Sequence, residues 1–265
     1  MLRALLLDLD GVVYRGRKPV PGAADLVRWA RQHGLDILFL TNRSGRTVDE
    51  IRRQLASGGV ECTSERILTS SLATARYLRR EGAKRVFFIG GEGLAEALRD
   101  AGYEPVETKA DHVVVGSDPD LSFADVTRAT RLLLDGDGTV TLVATNNDRL
   151  VDSDSGPVPG NGAVVAAISF AARVEPVVIG KPESYLVEMA LDRLGVAKHE
   201  VILIGDNPET DVRAGRKAGI ETVLLRTGVG ARFEPRSEEE MPNWEARDHE
   251  ELRRLLSERM RRAEE

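Results

Sequence analysis

Short apolar runs alternate along the chain with stretches whose apolar residues recur every three to four positions. Runs of four or five mostly apolar residues are typical of strands that are buried on both faces of a sheet. Strands that alternate with amphipathic helices form βαβ units, so we predict an α/β protein with parallel sheets. The eight predicted strands are Ala4–Leu7, Asp36–Leu40, Val86–Ile89, His112–Val115, Val140–Val143, Pro176–Ile179, Val201–Ile204 and Thr222–Leu225.

Start and stop signals place helices between these strands. Leu26, Trp29 and Ala30 stand at i, i+3 and i+4 before Gly34, which predicts one helix, and the capping-box pattern of residues 47–50 opens a second. A later helix is predicted from about Glu183 to Gly195, with Leu186, Met189, Ala190 and Leu194 buried. The polar, proline-containing stretch 152–159 predicts an irregular loop, and the charged end of the chain predicts a last helix, Glu250–Glu265.

The composition supports a globular protein and excludes several classes of function. The chain has 265 residues, of which 42% are hydrophobic and 30% charged, so it can bury a core. Lys and Arg number 37 against 43 Asp and Glu, which gives a net charge of −6. Because both signs are mixed along the chain, we expect neither general nucleic-acid binding nor binding to anionic membranes.

Cysteine content and hydropathy suggest the compartment. The single cysteine, Cys62, excludes an intramolecular disulfide and any cysteine-clustered metal site, which favours a reducing cytoplasm. The most apolar stretch, Ala163–Ala172, is ten residues long, whereas a membrane-spanning helix needs about 20. Since Met1 leads almost directly into a strand, we expect no signal peptide and no membrane anchor.

Four polar motifs stand where predicted strands end. The carboxyl ends of parallel strands meet at one edge of a sheet, where open α/β sheets bind their ligands, so we expect these motifs to converge. In chain order they are Asp8-Leu9-Asp10-Gly11, Thr41-Asn42-Arg43, Gly180-Lys181-Pro182, and Gly205-Asp206 with Asp211 five residues later.

The chemistry of these motifs indicates a metal site. Buried carboxylates without a positive partner repel one another and cost several kcal/mol. Three or four converging Asp residues therefore imply a bound cation, and ligand sets made only of oxygen favour Mg²⁺. Lys181 adds one cation just before a helix start, where Pro182 suits the first turn.

Taken together in this order, the four motifs resemble the signature motifs of the haloacid dehalogenase superfamily of phosphatases. Further segments are similar to its p-nitrophenylphosphatase-like subfamily, which includes phosphoglycolate, pyridoxal-phosphate and nucleotide phosphatases. These segments are Ser70–Leu78, Gly90–Leu94, Val115–Leu121, Ala144–Asn146 and Pro159–Ala163.

The resemblance implies a fold and a domain division. It implies a Rossmann-like, doubly wound parallel sheet as the catalytic core, formed by residues 1–72 and 174–265. An α/β cap domain that sets substrate specificity would be inserted at residues 73–173. Dimers that pair through this domain are common in the subfamily, so a homodimer stays open.

The resemblance also implies a role for each motif residue. Asp8 would be the nucleophile that becomes an aspartyl-phosphate, and Asp10 would be the general acid and base. Asp8, Asp206 and the backbone carbonyl of Asp10 would bind Mg²⁺, and Asp211 would either bind it directly or support the direct ligands. Side chains that would bind the phosphoryl group or the substrate are Thr41, Asn42, Arg43 and Lys181.

The sequence leaves two interpretations open for Arg43 and for a group of polar residues at strand ends. Arg43 stands where many relatives have a second Asn, so it either meets another anionic group of the substrate or is a solvated loop arginine. Asp118, Asp120 and residues 146–148 lie at predicted strand ends of the inserted domain. They either face the substrate or are ordinary polar residues at strand ends.

The function expected from these features is Mg²⁺-dependent hydrolysis of phosphate monoesters of small metabolites. The substrate classes are sugar or polyol phosphates, phosphoglycolate, nucleoside monophosphates and pyridoxal phosphate, among which the sequence does not choose. A phosphotransferase or mutase would share every motif. A receiver-like protein that binds phosphate without hydrolysis would lack both Asp10 and the long insertion.

Overall fold

The structure of the protein is a computed structural model that describes residues 1–153 and 156–262. Its strands and helices follow one another in the alternating order that the hydrophobic pattern predicts. The strands are β1 (Ala4–Asp8), β2 (Tyr14–Arg15), β3 (Lys18–Pro19), β4 (Asp36–Thr41), β5 (Ile67–Thr69), β6 (Val86–Ile89), β7 (His112–Val115), β8 (Thr141–Ala144), β9 (Leu150–Ser153), β10 (Gly156–Pro159), β11 (Val177–Val178), β12 (Val201–Gly205), β13 (Glu221–Leu225) and β14 (Trp244–Ala246). The α-helices are α1 (Ala23–Gln32), α2 (Val48–Ser57), α3 (Ser70–Glu81), α4 (Glu92–Asp100), α5 (Phe123–Asp135), α6 (Asn161–Ala172), α7 (Tyr185–Leu194), α8 (Arg213–Ala218) and α9 (His249–Arg261).

All eight predicted strands are present, and each end lies within one residue of the prediction. Within residues 1–153 and 156–262, four further pieces of β-structure were not predicted from the pattern because they are short or lie at an edge. They are β5, β14 and the hairpins β2–β3 and β9–β10. The hairpin of β9 and β10 corrects the irregular loop predicted for 152–159, although residues 154 and 155 lie outside the described ones.

Local signals fix several helix ends. Thr69 caps α3 by accepting a hydrogen bond from the backbone of Leu72, and Gly82 ends it in the left-handed region. Asp248 caps α9, which ends at Arg261; residues 263–265 of the predicted last helix lie outside the described residues.

Helix α7 differs from the prediction in its start and its buried face. It begins at Tyr185, so Pro182 precedes the helix instead of lying in its first turn. Leu186 and Ala190 are buried as expected, but Val187 and Leu191 are the other buried residues, whereas Met189 and Leu194 are half-buried. The buried face of α7 thus shares Leu186 and Ala190 with the predicted face and otherwise consists of the residues that directly follow these two.

The chain divides into two compact units. The first unit contains Met1–Thr41, Asp49–Leu68 and Lys181–Glu265, and the second contains Asn42–Val48 and Thr69–Gly180. The second unit is therefore inserted in the sequence of the first. The assignment of catalysis to residues 1–72 and 174–265, and of specificity to residues 73–173, stays a proposal.

The first unit is built on a six-stranded sheet whose order is β14-β13-β12-β1-β4-β5. Strand β1 lies at its centre, pairs in parallel with β4 and β12, and is buried along its whole length. The chain winds outward from β1 to β4 and β5 on one side and returns to β12, β13 and β14 on the other. This is a Rossmann-like, doubly wound sheet, and its winding reverses between β1 and β12, where such sheets open a crevice for ligands.

The second unit has a four-stranded parallel sheet whose order is β11-β8-β7-β6. Residues of β6, β7 and β8 pack with α5 and α6 into one hydrophobic cluster, which includes Phe87, Val113, Leu142 and Ile168. This unit thus has a core of its own.

Within residues 1–153 and 156–262, no helix is both long enough and apolar enough to cross a lipid bilayer.

The core of the second unit can be tested with a matched pair of phenylalanines. Phe87 is 4% exposed in β6, whereas Phe170 is 88% exposed on α6. We expect Phe87→Ala to lower the free energy of unfolding by about 3–5 kcal/mol because it leaves a cavity. Phe170→Ala should change it by less than about 0.5 kcal/mol. Urea unfolding followed by circular dichroism measures both, and equal effects would contradict the described core.

Candidate active site

Three aspartates meet where the winding of the first unit's sheet reverses. Asp8 is the last residue of β1, and Asp206 follows directly after β12, the strand that pairs with β1. Asp211 lies in a single π-helical turn, Pro208–Val212, that continues into α8. Because both strands end at the same edge of the sheet, residues about 200 positions apart in the sequence lie in the same crevice.

The three carboxylates are close together and shielded from solvent. Asp8, Asp206 and Asp211 are between 2% and 6% exposed. One carboxylate oxygen of each lies within 4.8 Å of the others. Such a spacing allows one small cation to contact all three.

Lys181 supplies a positive charge to this cluster. Lys181 is 2% exposed, and its ammonium group donates hydrogen bonds to Asp8 Oδ1 and to Asp211 Oδ1, the latter over 2.6 Å. Breaking a buried pair by removal of one partner costs several kcal/mol, because the other charge is then left uncompensated. Lys181 therefore fixes the positions of Asp8 and Asp211.

Backbone and hydroxyl groups fix the remaining carboxylate oxygens and the loop after β1. The backbone N–H of Asn207 donates to Asp211 Oδ2 over 3.1 Å, and that of Val229 donates to Asp206 Oδ2 over 2.5 Å. Thr227 Oγ1 donates to the carbonyl oxygen of Gly11 over 2.6 Å. Thr227 and Val229 were missed at the sequence level, although their place just after a predicted strand was the available signal.

Gly11 has to be a glycine for two reasons. Its φ is +82°, in the left-handed region that residues with a side chain rarely adopt. A Cβ at this position would also lie 2.0 Å from Asp206 Oδ2. The glycine of the Asp-x-Asp-Gly motif thus makes room for the Asp206 carboxylate.

Burial and charge repulsion shift the pKa values within the cluster. Burial raises the pKa of Asp8 well above its ordinary value; Lys181 opposes this effect, and the neighbouring aspartates add to it. Burial likewise raises the pKa of Asp206 to about 7, and the charge of Asp211 adds to that rise. Burial alone would lower the pKa of Lys181, but Asp211 and Asp8 outweigh it and raise that pKa above its ordinary value.

The donor set fits a hard divalent cation. Three buried carboxylates lie together with one ammonium group, which contacts two of them, so the ionised cluster carries an excess negative charge that burial makes costly. All the ligand atoms on offer are oxygens, which suit Mg²⁺ or Ca²⁺ better than soft metals. The buried cluster can therefore bind a metal ion.

Asp10 and Thr41 also belong to the first unit. Asp10 is half-buried two residues beyond Asp8, and its charge acts on both Asp8 and Asp206. Its backbone forms an isolated bridge with Tyr14. Thr41 is 1% exposed at the end of β4, where the preceding residue, Leu40, pairs with Asp8.

Asn42 and Arg43 are grouped with the second unit, although they follow Thr41 directly. Both are half-buried. The side-chain amide of Asn42 donates to the carboxylate of Asp148, one of the strand-end residues singled out in the sequence. The structure thus gathers Asp8, Lys181, Asp206 and Asp211 into one cluster and gives Asn42 a partner within the second unit.

Two family models match the segments of the chain that contain these residues. One, described as haloacid dehalogenase-like hydrolase, matches residues 5–104. Another, described as HAD-hydrolase-like, matches residues 178–252. The matched ranges include all four polar motifs.

Proteins with similar sequences extend the match over almost the whole chain. A 5′-nucleotidase, YutF, of Bacillus subtilis is 34% identical over 91% of this chain and 93% of its own length. The chain belongs to the haloacid dehalogenase-like hydrolase family. An acid sugar phosphatase of Staphylococcus epidermidis is 33% identical over 93% of this chain and 95% of its own.

Solved structures of the family have the same fold. A p-nitrophenyl phosphatase from Archaeoglobus fulgidus superposes with a TM-score of 0.85 at 33% identity, covering 96% of this chain and 99% of that one. A double mutant of a thermostable NPPase from Geobacillus stearothermophilus superposes with a TM-score of 0.85 at 34% identity. The match covers 93% of this chain and 96% of that one. The chain is accordingly a phosphatase of the p-nitrophenylphosphatase-like group within this family.

The raised pKa values predict how the stability of the metal-free protein depends on pH. In the folded state Asp206 titrates near pH 7, against an ordinary value of 3.8, so the folded state binds more protons between these values than the unfolded state. The free energy of unfolding should therefore fall as the pH rises from about 4 to about 7. Asp8, whose pKa is also raised, acts in the same direction.

Urea unfolding in the presence of a chelator, repeated across this pH range, measures the effect. Asp206→Asn keeps an oxygen that can accept from Val229 but does not titrate, so its stability should fall less steeply with pH than that of the wild type. Equal slopes for the two proteins would contradict the assignment.

Proposed function

We propose that this protein is a Mg²⁺-dependent phosphatase that hydrolyses phosphate monoesters of small metabolites through an aspartyl-phosphate on Asp8. The observation that carries the proposal is the buried cluster of Asp8, Asp206, Asp211 and Lys181. A carboxylate that is held at a strand end, next to both a cation site and an ammonium group, is placed to meet a dianionic phosphate ester.

Asp8, Asp206 and the backbone carbonyl of Asp10 are the proposed direct ligands of Mg²⁺. When bound, the ion would offset the repulsion between these carboxylates and the negatively charged phosphoryl group. Both oxygens of Asp211 already accept hydrogen bonds, from Lys181 and from Asn207. Asp211 therefore contributes its charge to the site and holds Lys181 in place.

The first step is a phosphoryl transfer to Asp8. A carboxylate oxygen of Asp8 attacks phosphorus, the bond between phosphorus and the ester oxygen breaks, and Asp10 donates a proton to the departing oxygen. In the second step a water molecule attacks the phosphorus of the aspartyl-phosphate, Asp10 takes up a proton of the water, and the bond between phosphorus and the Asp8 oxygen breaks. Inorganic phosphate leaves, and the Asp8 carboxylate is regenerated.

The remaining motif residues stabilise the charge of the transferring group. Lys181 donates to the phosphoryl oxygens as a fixed positive charge, which its buried ion pairs keep in one orientation. Thr41 and Asn42 are the proposed neutral donors, and Arg43 the proposed cation for the phosphoryl group or a second anionic group of the substrate. Phosphoryl transfer depends mainly on such positioning and electrostatic stabilisation.

The substrate class is proposed from the relatives together with the site. Relatives covering almost the whole chain are named as a 5′-nucleotidase and as acid sugar phosphatases. Nucleoside monophosphates and sugar phosphates are therefore the substrates that we propose first. The inserted second unit is the proposed source of specificity. We place the reaction in the cytoplasm, where the single half-buried Cys62 would stay reduced.

Release of inorganic phosphate from a panel of phosphomonoesters tests the proposal. The panel contains p-nitrophenyl phosphate, sugar phosphates, nucleoside monophosphates, phosphoglycolate and pyridoxal phosphate, each with Mg²⁺ and with a chelator. We expect turnover that requires the metal. Asp8→Asn should lower kcat by about 10³-fold or more, because the amide is not a nucleophile.

Asp135→Asn is the matched control, since it removes an exposed carboxylate at the end of α5 by the same chemical change. It should keep wild-type turnover. Turnover of Asp8→Asn within tenfold of the wild type would overturn the mechanism, and an absence of phosphate release by the wild type would overturn the proposed activity.

A further inference from the structure

Asn42 and Asp148 form a side-chain pair inside the second unit. Asn42 Nδ2 lies 3.1 Å from one carboxylate oxygen of Asp148 and 3.3 Å from the other, although the residues are 106 positions apart in the sequence. A hydrogen bond to an ionised acceptor is stronger than one between neutral groups. The pair therefore restrains the Asn42 side chain strongly.

The contacts also decide which way the Asn42 amide points. A carboxylate only accepts hydrogen bonds, so the nitrogen of the amide, and not its oxygen, has to face Asp148. On the other side, a Cβ at Gly180 would lie 2.6 Å from Asn42 Oδ1, which shows how closely that glycine approaches the amide oxygen. The amide is thus held between Asp148 and the backbone of Gly180.

The main chain of Asn42 is fixed by the same strand end. Asn146 is 1% exposed, and its amide donates to the carbonyl oxygen of Asn42 over 2.8 Å. Ser70 Oγ donates to the same carbonyl oxygen over 2.9 Å. The backbone N–H of Asp148 in turn donates to Asn146 Oδ1 over 3.2 Å. Asn146 and Asp148 therefore act together, one on the backbone and one on the side chain of Asn42.

We propose that Asp148 is a positioning residue of the phosphatase, which orients the Asn42 amide for donation to the phosphoryl group. The proposal rests on the role of Asn42 in the proposed function. An amide nitrogen carries two hydrogens, so donation to Asp148 does not by itself use up the group. A donor that is oriented before the substrate arrives needs no reorganisation during the reaction.

A double-mutant cycle between the two residues is the test. Asn42→Ala, Asp148→Ala and the double variant are compared with the wild type by kcat/KM for p-nitrophenyl phosphate and by the affinity for inorganic phosphate in the presence of Mg²⁺. Each single substitution should lower both quantities about tenfold. Because Asp148 acts through Asn42, the double variant should also lose about tenfold, instead of about a hundredfold.

Two further variants separate orientation from charge and from packing. Asp148→Asn keeps an oxygen that can accept from Asn42 and should stay within about threefold of the wild type. If Asp148 acted only through its charge, Asp148→Asn and Asp148→Ala would both bind phosphate more tightly than the wild type. Asp135→Ala, which removes an exposed carboxylate of the same unit, should leave both quantities unchanged.

Failure of the proposal is distinguishable from failure of the proposed function. Additive effects in the cycle, or equal losses for Asp148→Asn and Asp148→Ala, would overturn the positioning role while wild-type turnover stayed intact. A wild type that hydrolyses no phosphomonoester would instead overturn the function. The phosphate affinities would still report whether Asp148 acts through Asn42.

Discussion

An imbalance of buried charge is the central constraint in the first unit: three carboxylates share one ammonium group, which contacts two of them. Lys181 bonds Asp8 and Asp211, and Asp206 completes the set at a distance that a single small cation can bridge. Burial turns this excess into the raised pKa values of Asp8 and Asp206. Such a cluster is costly unless a positive charge joins it, so it is suited to accept a cation.

The rest of the fold keeps these charges in place. The sheet reverses its winding between β1 and β12, which sets Asp8 beside Asp206, and the positive φ of Gly11 leaves room for the second carboxylate. Backbone donors from Asn207 and Val229 satisfy oxygens that Lys181 does not reach. In the second unit, hydrogen bonds with Asp148 and Asn146 hold Asn42 in place. In each unit, hydrogen bonds thus hold polar groups in place at strand ends.

Much of this arrangement could be predicted from the sequence, because strands and motif residues leave local signals. The apolar runs before Asp8 and Asp206 predicted strands, and both strands, β1 and β12, are present. Asp8 and Asp206 lie together in one cluster at the ends of these strands. Pairings that depend on tertiary contacts leave no such signal. The bond between Asn42 and Asp148 joins distant positions, and hairpin β9–β10 contains prolines that indicate a loop. Local patterns also could not show that the buried face of α7 includes Val187 and Leu191.

Titration of the metal-free protein with MgCl₂ by isothermal calorimetry shows whether the buried cluster binds a cation. We expect one Mg²⁺ per chain near neutral pH, with release of protons because the pKa values of Asp8 and Asp206 are raised in its absence. Asp206→Asn should weaken the binding at least about tenfold, whereas Asp135→Asn should leave it unchanged. Equal binding by wild type and Asp206→Asn, or none by the wild type, would contradict the view that this buried cluster is a cation site.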